Sequence, residues 1–310
     1  MTAIAALFVL IWSTGFLVAK AIVPVADPNL FLSARVALAC LLFLTLAVVA
    51  RVPWPRRREL PRHILAGMLL QGGYLGGTYW AVEDGLAPGV MALLGALQPI
   101  LTAVLASIVL RENPTRRTWS GLGLGVTGVG LVLLPGLLTR GSGALPAGAV
   151  VIAVAAVLSL TAGTVLQKTS IAAADLRASS VLQNAGAGLV VVPLALARGE
   201  TRWIPGPTLW ASLAYASFVL SGLGTLLLVW MVRRGRAANV ASLLLLAPPL
   251  AAAETYLLFG DRLTGVQIAG FAIALFGVFL CNPGQRTPAA DRDPPARGLD
   301  AAPPERTTSL

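Results

Sequence analysis

Residues Val90–Leu131 read VMALLGALQPILTAVLASIVLRENPTRRTWSGLGLGVTGVGL, and residues Asn239–Leu280 read NVASLLLLAPPLAAAETYLLFGDRLTGVQIAGFAIALFGVFL. The second stretch is the first in altered spelling. Ala92, Leu94, Pro99, Gly121 and Gly128 return as Ala241, Leu243, Pro248, Gly270 and Gly277, and the acid Glu112 returns as Asp261, all offset by 149 positions. A constant offset over the whole stretch marks an internal duplication. Each copy is two apolar runs of about 20 residues around a short polar joint, and at about 1.5 Å of rise per residue each run crosses a bilayer. The duplicated unit is therefore expected to be a membrane-embedded helical hairpin.

Composition agrees. Of the 310 residues, 56% are hydrophobic and 12% charged, with a mean hydropathy of +0.80, whereas soluble domains carry about 25% charged residues. The apolar residues fall in blocks at about 2 to 22, 30 to 50, 63 to 84, 88 to 110, 117 to 138, 144 to 168, 177 to 197, 207 to 231, 238 to 259 and 263 to 282. Short joints carrying Pro, Gly, Asp or Arg separate them. The first block has no basic residue ahead of it and exceeds the length of a signal-peptide core, so it is expected to be a retained span. The region from Pro283 to Leu310 turns to Pro, Ala, Arg and Asp and is expected to be a disordered tail.

A net charge of +10 suggests nucleic acid in a soluble chain. Here the basic residues gather in alternate joints, which points to membrane orientation and excludes a nucleic-acid partner. One set of joints holds thirteen of them: Arg51, Arg56, Arg57, Arg58, Arg62, Arg111, Arg116, Arg117, Lys168, Arg177, Arg233, Arg234 and Arg236. The other holds only Lys20, Arg140, Arg198, Arg202 and Arg262. The first set, and both termini with it, is assigned to the cytoplasm. Cys40 and Cys281 lie inside apolar runs, where thiols act as small hydrophobes, so no disulfide, metal site or cofactor is expected. The one histidine, His63, opens a span and is read as interfacial.

The duplication extends over the whole membrane part. Ser13, Gly15 and Lys20 match Thr161, Gly163 and Lys168 at offset 148, and Trp80, Gly85 and Ala87 match Trp230, Gly235 and Ala237 at offset 150. Five spans is an odd number, so the halves lie in opposite orientations. The acidic pair Glu83-Asp84 outside accordingly has its counterpart, Arg233-Arg234, inside. The expected fold is an all-α polytopic membrane protein with ten transmembrane helices arranged as a 5+5 inverted repeat. Residues 1–140 form the first half, 141–282 the second and 283–310 a cytoplasmic tail. Inverted halves can exchange conformations and open one site to either face in turn, with that site near the midplane between them.

The run Trp12-Ser13-Thr14-Gly15-Phe16 with Lys20, Pro28 and Arg35, the run from Gly89 to Gln98-Pro99, and the span endings at Glu112 and Gly260-Asp261 resemble the EamA family of the drug/metabolite transporter superfamily. The resemblance covers about residues 2 to 282. It implies ten spans, a 5+5 inverted repeat and movement of small metabolites across the bacterial inner membrane, commonly export of amino acids or related compounds. The Gly-Glu that usually closes the hairpin is Arg111-Glu112 in the first half and Gly260-Asp261 in the second.

Charge inside a span is the clearest functional pointer, since it costs about 2.5 to 3.5 kcal/mol at a span centre on insertion scales. Arg35, Glu254 and Lys20 lie within about 8 Å of the outer interface by helix rise. They are candidates for binding charged substrate groups or gating, with Glu254 a carrier for a coupling proton. The alternatives are a structural ion pair, or snorkelling of Lys20 and Arg35 to headgroups. Nearer the midplane lie Trp12, Ser13, Thr14, Tyr74, Gln98 and Pro99, with Thr161, Asn184 and Pro248 in the second half. Amides, hydroxyls and aromatic faces suit a small zwitterion or neutral polar solute, or else serve as contacts between helices. Gly72, Gly73, Gly76, Gly77, Gly121 and Gly125 are read as sites of close helix approach.

The chain is therefore read as a carrier of a small organic molecule in a lipid bilayer, acting as an exporter, with the monomer and the homodimer both open. No nucleotide-binding Gly-x-x-x-x-Gly-Lys run exists. An enzyme acting on lipid-linked substrates would need clustered His, Asp or Glu that this chain lacks. A membrane scaffold or regulatory subunit without transport activity is the alternative.

Overall fold

The computed structural model describes residues 2–110, 116–139, 145–170, 174–227, 246–261 and 263–281. Glu112 with Arg111, the joint carrying Arg233, Arg234 and Arg236, the counterpart residues Trp230, Gly235 and Ala237, and the 283–310 tail lie outside the described residues.

The described chain is helical, with no strand beyond one isolated bridge between Ala26 and Trp203. Ten helical elements follow the ten apolar blocks. They are α1 (Thr2–Ile22), α2 (Pro28–Val49), α3, α4, α5 (Arg116–Leu138), α6 (Ala147–Ser170), α7 (Leu176–Ala197), α8, α9 (Ala247–Phe259) and α10 (Gly265–Cys281). Three are not continuous α-helices. α3 runs as Leu60–Gly67, a π-helical segment Met68–Gly73 and Tyr74–Glu83; α4 breaks at Leu97 between Pro88–Ala96 and Gln98–Leu110; α8 runs as Pro207–Ala214 and then a π-helical segment Tyr215–Gly224. The α4 break follows from Pro99, whose ring and missing N–H disrupt the turn before it. Proline in the first turn starts α2, α3, α4, α8 and α9. The Asp175 carboxylate accepts a bond from Arg177 N at 2.9 Å and starts α7, and the hydrogen bonds of Arg177 hold that carboxyl below the usual carboxylate range. Gly260, in the left-handed region, ends α9.

Five of these helices are long and apolar enough to cross a membrane, and shorter apolar helices occupy Ala6–Ile22, Pro88–Thr102 and Gly265–Leu280. Leu41, Val49, Leu196, Leu257 and Phe279 stand exposed, as lipid-facing side chains do. The interior packs small residues such as Ala19, Ala39, Ala153, Ala187 and Ala274 against Phe8, Phe31, Phe43 and Leu93.

Glycines decide how the halves meet. A Cβ on Gly128 of α5 would sit 2.4 Å from the Ala274 N and 2.5 Å from the Gly270 O of α10. One on Gly277 would sit 2.7 Å from Gly121 O and 2.8 Å from Gly125 N. Rising numbers on α5 run with falling numbers on α10, so the two are antiparallel. Gly121 corresponds to Gly270 and Gly128 to Gly277 in the duplication, so each residue of one half touches the image of the other's partner. That reciprocity is the signature of a twofold axis. The axis is perpendicular to the antiparallel pair and lies in the membrane plane, which makes the halves an inverted repeat. The other helix pairs obey the same operation. α1 packs on α9 and its image α6 packs on α4; α3 packs on α7 and its image α8 packs on α2. Contacts Ser13–Glu254 and Lys20–Asp261 run in register, so α1 and α9 are parallel, as alternation through ten spans requires.

The two π segments fall at equivalent places. Shifted by the 150-residue offset of α3, Met68–Gly73 lies inside Tyr215–Gly224. Sequence periodicity carries no sign of either segment. Close packing beside them fits the small residues there: Gly72 abuts Val190, Gly73 the Ser159 hydroxyl and Gly77 Ala156.

Gly128→Ala is expected to destabilise the protein by about 1 to 3 kcal/mol, because backbone atoms cannot give way to the added methyl. Gly130→Ala, with nothing within 4 Å, is expected to be neutral or to stabilise by up to about 1 kcal/mol. Thermal unfolding of the purified protein in detergent compares them.

Candidate functional site

Most of the side chains singled out in the sequence turn toward the other half of the molecule. The Ser13 hydroxyl, fully buried, lies 2.9 Å from the Leu10 carbonyl and 2.8 Å from Glu254 Oε1. The other carboxylate oxygen, Oε2, is buried without a partner in the structure. Ser13 owns one proton and two acceptors surround it, so with Glu254 ionised one acceptor goes unmet. With a proton on Glu254, its O–H donates to Ser13 Oγ, and Ser13 donates to Leu10.

Thr14, one residue on, shares a 2.7 Å hydrogen bond with the Tyr215 hydroxyl and also donates to the Ile11 carbonyl. Gln98, just past the α4 break, donates Nε2 to the Thr164 hydroxyl of α6 at 2.9 Å. Tyr74 stands between α1 and α4, its hydroxyl 3.3 Å from where a Gly95 Cβ would be, with Phe16 on the same glycine. Pro99 is exposed, and Trp12 is 37% exposed with its ring 5.4 Å from that of Phe8, so these two do not join the polar contacts. Thr161 bonds to the Val157 carbonyl of its own helix and Asn184 to the Ser180 carbonyl, and Pro248 is buried at the start of α9.

Arg35 begins two turns inside α2, which starts at Pro28; by helix rise its Cα is about 10 Å below the helix start, somewhat deeper than the sequence blocks indicated. Its side chain donates Nη1 to the Tyr79 hydroxyl at 3.0 Å, and Nε and Nη2 approach the Ser221 hydroxyl at 3.4 Å. Ser221 itself donates to the Ala216 carbonyl five residues back, the spacing of the π segment. His63 is buried, with Nδ1 2.9 Å from the Ser179 hydroxyl.

A band of ion pairs closes the end of the bundle formed by the joints around residues 23–27, 84–87 and 198–206. Arg202 reaches Asp27 at 2.8 Å and Glu83 at 2.6 Å; Arg198 reaches Glu200 at 3.2 Å and stacks over Trp80 at 4.0 Å. Asn29 donates to Glu200 at 2.6 Å, and the backbone N–H groups of Thr201 and Arg202 donate to Asp27. Lys20 pairs with Asp261, over the Phe259 ring. Lys20, Asp27, Asn29 and Glu83 belong to the first half and Arg198, Glu200, Arg202 and Asp261 to the second, so this clasp ties the halves together at one end. Sequence reading singled out Lys20 as a candidate and missed the rest, because the pairs that join the halves, Lys20–Asp261, Asp27–Arg202 and Glu83–Arg202, bring together residues more than a hundred positions apart. Tyr79, Ser221, Tyr215 and Thr164 were missed as well. A furrow of about 590 Å³ lies between α9 and α10, lined in part by exposed Tyr256 and Ile268 with Asp261 and Phe271; none of the polar contacts centred on Ser13, Arg35 or Gln98 lines it.

Comparison with known proteins matches the model of the EamA-like transporter family twice, at residues 2–134 and 147–282. An uncharacterized transporter of Synechocystis sp. is 26% identical, the match covering 94% of this chain and 92% of that protein. Proteins named probable amino-acid metabolite efflux pump are 26% identical in Salmonella typhimurium and 25% identical in Escherichia coli, each match covering 89% of this chain and 93% of theirs. A crystal structure at 16% identity superposes with a TM-score of 0.61 over 91% of this chain and 98% of that one, a likeness of fold.

If the clasp is a gate, Arg202→Gln is expected to speed the reaction of a membrane-impermeant maleimide with a cysteine replacing buried Phe16. Labelling from the clasp side at an unchanged rate would show that the clasp does not govern access.

Proposed function

Since the chain belongs to the EamA-like transporter family, a family of multi-pass membrane transporters in the drug/metabolite transporter superfamily, we propose that it exports small organic metabolites, amino acids or related compounds, by alternating access across the bacterial inner membrane. The observation that carries this is the twofold axis between α5 and α10. A protein whose halves are images of each other can adopt a second state in which each half takes the conformation of the other, and the opening then moves from one face to the opposite one. The polar groups of Ser13, Thr14, Gln98, Arg35 and Glu254 lie between those halves, where such an exchange would expose them to each side in turn. The names of the Salmonella and Escherichia relatives support amino-acid-like cargo and outward movement.

The excess of Lys and Arg in alternate joints supports a clasp on the outer face and both termini in the cytoplasm. The clasp is then an outer gate, closed in this structure by pairs between the halves. Residues 1–140 and 141–282 are then the two moving units.

Glu254 supplies the coupling. Its carboxylate is hydrogen-bonded to Ser13 and, among the described residues, not paired with a cation, and α9 packs on α1 and α4, where Lys20 of α1 is paired with Asp261. A proton carried inward on Glu254 would exchange for the outgoing solute.

Reconstituted in liposomes, the wild-type protein is expected to drive solute against its gradient when an opposing pH gradient is imposed. Glu254→Gln is expected to abolish that accumulation while leaving downhill counterflow. Accumulation in Glu254→Gln equal to wild type would remove the proton role. A wild-type protein that moves none of the twenty proteinogenic amino acids, their analogues or a drug panel would favour a scaffold or regulatory subunit.

A further inference from the structure

Arg35 is a 7% exposed cation, and among the described residues no carboxylate lies within ion-pair distance of it. Asp27 and Glu83 are paired with Arg202, Glu200 with Arg198 and Asp261 with Lys20, and Glu254 is bonded to Ser13. A guanidinium has five N–H donors in a planar fork. Tyr79 takes one well, and Ser221 takes Nε and Nη2 only at 3.4 Å, a weak shared contact. The second N–H of each Nη remains for another acceptor. Ser217, one turn before Ser221 on the same face of the π segment, is fully buried, and its hydroxyl has no partner in the structure. A buried cation with unused donors and a buried hydroxyl without a partner are thus linked through α8: Arg35 is held at Ser221, and Ser217 lies one turn before it.

We propose that this place is an oxyanion site and that its ligand is the carboxylate of the transported solute, held two-pronged by Arg35 with Ser217 donating a further bond. Arg–carboxylate pairing uses two parallel N–H···O bonds, the geometry a guanidinium with two unused donors offers. A singly charged group neutralises Arg35, whereas a phosphate dianion would leave a net negative charge in the membrane interior. The π segment matters because it turns Ser221 toward the guanidinium. Arg35 belongs to the first half and Ser217 with Ser221 to the second, so a bound carboxylate would bridge the moving units. That the ligand is cargo rests on the transport reading above; the site itself does not.

The test uses the purified full-length protein in detergent at constant ionic strength. Thermal unfolding is followed in benzoate and L-phenylalanine, in their amides benzamide and L-phenylalaninamide, and in inorganic phosphate. Wild type is expected to bind each acid about tenfold more tightly than its amide, the worth of one charge-assisted pair. Arg35→Gln is expected to bind acid and amide alike, and Arg35→Lys to keep the preference at reduced affinity, since an ammonium lacks the fork. No acid preference in wild type, the same preference in Arg35→Gln, an unchanged affinity in Arg35→Lys, or phosphate bound more tightly than the carboxylates would each overturn the proposal. Liposome counterflow with the same probes separates the two readings: a preference without flux keeps the site and removes the transporter, and flux without a preference does the reverse.

Discussion

Two glycine-lined helices, α5 and α10, touch backbone to backbone, and the rest of the arrangement depends on that contact. In lipid there is little hydrophobic gain from bringing one helix onto another, so association rests on close van der Waals packing, which small residues permit. A methyl added at Gly128, Gly270 or Gly277 would run into backbone atoms of the opposite helix. The contact is also where the duplication folds onto itself. Because equivalent glycines meet reciprocally, an element of the first half has a counterpart facing the opposite way, and the α1–α9 and α4–α6 pairs become images of one another.

That symmetry explains the distribution of polar groups. Hydroxyls, an amide and two charges within the span region would be costly against lipid. Ser13, Thr14, Gln98 and Arg35 instead meet Glu254, Tyr215, Thr164 and Ser221 across the seam between halves. The seam thus carries its polar contacts at these helices and is close-packed at α5 and α10. At one end ion pairs between the halves add further contacts, and partly exposed pairs of this kind are individually weak.

The architecture was legible in the sequence because its signals are periodic and local. Blocks of about 20 apolar residues announce spans, the 149-residue echo announces the duplication, and an odd number of spans makes it inverted. Glycine spacing likewise marked α3 and α5 as sites of close helix approach. Partnerships were not legible. Ser13 and Glu254 stand 241 residues apart, and nothing along the chain says which helix faces which. The π segments escaped for a different reason: an extra residue per turn leaves the apolar pattern of Met68–Gly73 and Tyr215–Gly224 unchanged while rotating the register of the residues beyond. Arg35 was visible as a charge in a span, yet its partners, the Tyr79 and Ser221 hydroxyls, emerge only in the structure.

The central claim is that the halves are threaded in opposite senses, and the joint entering α5 and the joint between α9 and α10 report on it most directly. Single cysteines replacing Arg116 and Thr264, each in a background with Cys40 and Cys281 changed to alanine, are labelled with an impermeant maleimide in intact cells and in inverted vesicles. The account predicts that the cysteine at 116 reacts only in inverted vesicles and the one at 264 only in intact cells. Labelling of both from the same side would contradict it.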